Sequence, residues 1–217
     1  MRVHDVDHPW ISTDRNLAVV CAIWAAALMA SAVAPYDRLT WFMEVLPVLI
    51  AAPVMIATRN RLPLTPLVYA LIAVHGLILI YGGAYTYARV PAGYWLQEWL
   101  GFARNPYDRV GHLAQGFVPA LVARELLLRV FRIQGRETVF FLAVCIALAI
   151  SAFYELIEWW AALAMGGGAD EFLGTQGDVW DTQWDMFLAL TGAIIALLTL
   201  GRRHDRQIAR LESATAP

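Results

Sequence analysis

The sequence predicts an all-α fold, a polytopic membrane bundle of six transmembrane helices in a single domain covering residues 1–217. Three observations predict it. Hydrophobic residues make up 59% of the chain and charged residues 16%, where soluble domains carry about 45–50% and about 25%. Mean hydropathy is +0.54, so the chain has too little polar surface to cover itself in water. Six runs approach the roughly 20 apolar residues that cross a bilayer core: 17–34, 39–57, 64–81, 110–128, 139–164 and 182–200. This composition excludes a disordered chain, an ordinary soluble enzyme and a nucleic-acid-binding protein. With a net charge of −2, no positive field draws in a polyanion.

The runs can be justified in order. The first ends Ala32-Val33-Ala34, which mimics a processing site, but Pro35 follows it. Asp5, Asp7 and Asp14 also offset Arg2 and Arg15 ahead of it, so the run reads as a retained helix rather than a cleaved signal. A tight turn near 35–38 leads to the second run, with Pro47 and Pro53 inside it, and the third run contains His75. Segment 82–109 carries Tyr85, Tyr87, Tyr94, Trp95, Trp99, Phe102 and Tyr107. Amphipathic rings favour the membrane interface, and a short interfacial helix is expected at about 93–100. It would serve as an aromatic belt or as a lid over a docking surface. The fourth run is the least apolar, with His112, Gln115, Arg124 and Glu125. The fifth is long enough to tilt, and 166–168 reads as a flexible exit from it. The sixth is followed by an arginine-rich tail, 202–210, expected to lie along anionic lipid. Cys21 and Cys145 sit in apolar runs and read as small packing residues.

All 16 basic residues are arginine. With the N-terminus inside, Arg38, Arg89, Arg104 and Arg109 fall outside and the rest inside. The positive-inside rule then puts both termini in the cytoplasm of a bacterial inner membrane.

Ionisable residues within a bilayer are costly, at least about 2.5–3.5 kcal/mol near the centre. Glu44, His75, His112, Glu155, Glu158 and Asp185 all fall in the outer half of their runs. Arg124 and Glu125 lie at the inner end, where snorkelling is cheap. Asp108, His112 and Gln115 share one helix face. Ser151, Tyr154, Glu155 and Glu158 share another. Asp178, Asp181 and Asp185 share a third if the sixth helix begins early. Such stripes must face one another or a wet cavity, and the carboxylates must be protonated, paired with Arg104 and Arg109, or bound to a cation. A histidine among carboxylates suits one divalent ion, zinc, manganese or magnesium. His112, Glu155 and Asp185 are the expected ligands, with Asp108 and Asp178 beside them. Glu158 or Asp181 would be the general base, and Arg109 would hold an anionic head group. Singly, His75 reads as a packed, hydrogen-bonded histidine, and Glu44 as the partner of Arg38 or of a tyrosine hydroxyl. Trp159, Trp160, Trp180 and Trp184 read as interface anchors. No G-x-G-x-x-G, P-loop, H-E-x-x-H or G-x-S-x-G motif occurs.

Several long motifs carry a resemblance. Ala34-Pro35-Tyr36-Asp37-Arg38-Leu39-Thr40-Trp41, with Glu44 and Pro47-Val48-Leu49, is one, and Tyr85-Thr86-Tyr87 is another. Others are Arg104-Asn105-Pro106-Tyr107-Asp108-Arg109-Val110-Gly111-His112 with Gln115-Gly116-Phe117, and Ser151-Ala152-Phe153-Tyr154-Glu155-Leu156-Ile157-Glu158-Trp159-Trp160. The last is Gly174-Thr175-Gln176-Gly177-Asp178-Val179-Trp180-Asp181-Thr182-Gln183-Trp184-Asp185. Over roughly 17–200 the chain resembles the YjdF-type family of bacterial inner-membrane proteins. The resemblance implies six spans and no particular activity. A more distant likeness runs to VanZ-like membrane proteins. Asp108 with His112, Glu155 with Glu158, and Asp185 with Gly192 look like that pattern, and Ala189 stands where it has Asn.

One expectation, ranked nearly level with a structural role, is a metal-assisted site at the outer face acting on a lipid or lipid-linked cell-envelope precursor. The alternatives are a non-catalytic structural or accessory membrane protein, and a proton- or ion-coupled transporter. Transport would need polar residues continuing to the inner side, where the runs are nearly all apolar.

Overall fold

A computed structural model describes residues 13–165 and 176–215. The expected exit at 166–168 and the Gly174-Thr175 part of the last motif lie outside the described residues. Seven helices are described: α1 (Thr13–Ala32), α2 (Arg38–Thr58), α3 (Pro66–Ala84), α4 (Pro91–Leu100), α5 (Tyr107–Arg129), α6 (Arg136–Met165) and α7 (Asp181–Thr215).

Local chemistry sets their starts. Asp37 caps α2 by accepting the Thr40 N–H at 2.7 Å, and that bond holds the Asp37 carboxyl below its ordinary range. Thr65 caps α3, with Pro66 in the first turn where no N–H is missed. Pro91 opens α4, and Gly101, in the left-handed conformation at φ 68°, closes it.

Five helices are long and apolar enough to cross a membrane: α1, α2, α3, α6 and α7. The fold is the polytopic helical bundle the sequence predicts. The expected fourth span corresponds to α5, which at about 1.5 Å per residue is roughly 35 Å long but falls short on apolarity. Packing explains this difference. α5 is the hub, touching α3, α6 and α7, while α1 and α2 pack on α3. Its polar residues therefore meet protein rather than lipid. The outer helices expose Met29, Ile50, Val54, Phe141, Phe153 and Leu198, a surface that suits hydrocarbon and would aggregate in water.

α7 departs most from expectation. It continues beyond residue 200 to Thr215, so the arginine-rich stretch is helical, with Arg202, Arg203, Arg206 and Arg210 on its exposed side. His204, Ile208 and Leu211 on it are buried. Leu67 donates its N–H to Gln207 Oε1 at 2.8 Å, and Arg132 pairs with Glu212.

α5 and α7 run parallel and touch through small residues. A Cβ on Gly116 would lie 1.8 Å from the Ala189 carbonyl oxygen, and one on Gly192 would lie 2.1 Å from that of Leu113. Ala120, Ala123, Ala189, Ala193 and Ala196 are also buried. Lacking a hydrophobic drive between them, helices in lipid associate through such close contacts. Gly116→Ala and Gly192→Ala should each lower stability in detergent unfolding by roughly 1–3 kcal/mol, as overpacking does. Gly201→Ala, with nothing within 4 Å, should be neutral or stabilising by up to about 1 kcal/mol.

Candidate functional site

Two polar clusters stand at opposite ends of the α5–α7 contact. The first surrounds His112. Asp108 is one turn earlier on α5, and its Oδ1 is 3.5 Å from His112 Nε2. Asp185, on the first turns of α7, brings Oδ2 to 3.8 Å of the same nitrogen. Glu155 of α6 faces the other ring nitrogen, with Oε1 3.7 Å from Nδ1. All four residues are buried. Asp108, His112 and Asp185 each offer a ligand atom within 4.8 Å of the others.

The cluster is short of internal partners. Asp108 Oδ2, His112 Nδ1, Ser151 Oγ, Glu155 Oε1 and Asp185 Oδ1 are buried and make no hydrogen bond. Buried polar atoms are nearly always bonded, and a knot of exceptions calls for an ion or ordered water. Glu158 is buried on the same α6 face. Tyr154 donates its hydroxyl to Glu44 Oε2 at 3.1 Å, which decides between the two partners expected for Glu44. His75 keeps Nε2 buried with no hydrogen-bond partner. Gln115 is half-buried one turn below His112.

Asp178 and Asp181 are placed differently. α7 begins at Asp181, so Asp178 precedes the helix and its carboxylate caps the turn, accepting the Trp180 N–H at 3.0 Å. Arg104 forms an ion pair with Asp181 and lies 3.3 Å from Asp178, and Arg109 also reaches Asp178 at 3.3 Å. The arginine network is thus real, but it takes these two acids. The unsatisfied oxygens around His112 stay as they are.

The second cluster was not legible as a site. Glu125 and His204 are both 0% exposed, so Glu125 does not snorkel. Its carboxylate accepts the Thr65 N–H at 3.0 Å, the Thr65 hydroxyl at 2.8 Å and Arg129. His204 Nε2 lies 2.9 Å from it. Arg124 Nη1 lies 3.3 Å from His204 Nδ1. A guanidinium can only donate, so Nδ1 accepts and Nε2–H donates to Glu125. The signal was the face Leu197, His204, Ile208 and Leu211, which continues past the expected helix end.

Over residues 16–206 the chain matches the family model described as "Predicted membrane protein (DUF2238)". It is 60% identical over 183 residues to the inner membrane protein YjdF of Escherichia coli strain K12, covering 84% of this chain and 88% of that protein. No solved structure matches. These findings do not bear on the VanZ likeness, which stays with its motifs.

His204→Leu should destabilise the bundle by about 1–3 kcal/mol in detergent unfolding, the effect of removing one partner from a buried carboxylate, and leave the His112 cluster intact.

Proposed function

The chain belongs to the DUF2238 family of predicted membrane proteins and is a multi-pass inner-membrane protein; on that premise we propose that it holds one divalent cation among Asp108, His112 and Asp185 and uses it on a lipid or lipid-linked cell-envelope precursor. The carrying observation is that each of the three carboxylates around the His112 ring, Asp108, Glu155 and Asp185, keeps one oxygen buried without a hydrogen bond. Metal bonds of about 2.0–2.2 Å hold neighbouring ligand atoms roughly 3–4 Å apart. The Nε2 distances to Asp108 and Asp185, 3.5 and 3.8 Å, fit that spacing. Two carboxylates and one imidazole suit manganese, magnesium or zinc.

Glu155 takes a different role from the ligand role expected of it. It faces Nδ1, away from the cation side, and would orient the ring and raise its basicity. When bound, the cation would polarise an oxygen of the substrate or activate water. Glu158, buried beside Glu155, is the general base of this reading, and Asp181 is held by Arg104. The arginine distribution supports both termini lying in the cytoplasm and the site lying at the outer face. Transport fits less well, because the tightly packed Gly116–Ala189 contact stands between the two polar clusters.

The test is elemental analysis of the purified protein with manganese and zinc offered. About one equivalent should be retained. His112→Ala and Asp185→Asn should abolish retention, and Glu155→Ala should weaken it by roughly 10- to 100-fold. No metal in the wild type, with the variants changed only in stability, would leave a structural network.

A further inference from the structure

We propose that a cleft beside the cation site binds a phosphate group, and that the Asp178 carboxylate occupies the phosphate's place until it arrives. The inference rests on the reading of the site as one that receives an envelope lipid or precursor, and it names the group recognised. The cleft holds about 320 Å³ and is walled by Phe102, Pro106, Arg104, Arg109, Gln176 and Asp178.

Arg104 and Arg109 converge there. Each brings Nη2 to 3.3 Å of the same oxygen, Asp178 Oδ2. One carboxylate oxygen is thus shared by two guanidiniums, of which Arg104 is anchored by its ion pair with Asp181 while Arg109 has Asp178 as its carboxylate partner. A phosphate, with more oxygens and more charge, would satisfy that pair better. Arg109 also keeps Nε buried without a hydrogen bond, and its guanidinium lies 5.6 Å from the Trp184 ring centroid, which orients it. Gln176 is fixed by a reciprocal pair with the Asn105 backbone, at 3.2 and 3.1 Å.

Asp178 is suited to leave. It lies ahead of α7, on a turn where Gln176 and Gly177 have φ of 46° and 85°. A glutamine in the left-handed region is strained, and the Asp178 oxygen that meets the arginines, Oδ2, is not the one that accepts the Trp180 N–H. The cleft adjoins Phe102, just after α4, whose Trp95 and Trp99 are 73% and 79% exposed. Indole rings of that kind settle at the head-group level, the depth at which a lipid presents its phosphate.

The experiment uses the full chain in detergent. Binding of dihexanoyl phosphatidic acid and of inorganic phosphate is followed by 31P line broadening, with manganese retention measured on matched samples. Asp178→Asn should tighten phosphate binding by about fivefold, the effect of removing one partly exposed competing ion pair. Arg109→Gln should weaken it by about tenfold or more. Neither change should alter manganese retention. Binding of the lipid alone supports the proposal with the membrane as source, and equal binding of both supports it with a free phosphate sufficing. No gain in Asp178→Asn, or undiminished binding in Arg109→Gln, overturns it. If wild type retains no manganese while phosphate binding keeps its Asp178 dependence, the cation reading fails and this one stands.

Discussion

Two glycines let the backbones of α5 and α7 touch, and the polar chemistry of the molecule follows from that contact. Gly116 lies against the Ala189 carbonyl and Gly192 against that of Leu113. His112 stands one turn before Gly116, and Asp185 one turn before Ala189. Side chains at the same height on two helices this close cannot avoid each other. A larger residue at either glycine would separate the helices and open the 3.8 Å approach of His112 to Asp185. The low apolarity of α5 is tolerated for the same reason, since α3, α6 and α7 surround it.

The two ends of this contact solve opposite problems. At the Glu125 end, every acceptor of the carboxylate is answered by Thr65, Arg129 or His204, and the α3 N-terminus adds its dipole. At the His112 end, a comparable density of charge is left with unanswered oxygens. A fold able to satisfy one buried carboxylate completely has the means to satisfy others. The contrast points to function at the unsatisfied end and to anchoring at the other.

Much of this could be read from the letters. Lipid penalises stray charge, so the depth and helical spacing of Asp108, His112, Glu155, Glu158 and Asp185 already placed them on facing surfaces. The sorting of the acids was not readable. Asp178 and Asp181 go to arginines because of the path taken by 101–106 and 176–180, which follows no helical period. The Glu125–His204 pair was missed for another reason. Polar residues near a helix end are cheap in water, and Arg202 and Arg203 interrupt the apolar pattern that Ile208 and Leu211 then resume.

α7 carries Asp185 near its start and His204 far along the same uninterrupted helix, about 28 Å further at 1.5 Å per residue. It therefore works as a gauge as well as a span. A single inserted or deleted residue between the two would turn one end by about 100° relative to the other, so that no axial slide could restore both contacts. The count of residues from Asp185 to His204 is therefore fixed by the two contacts at its ends.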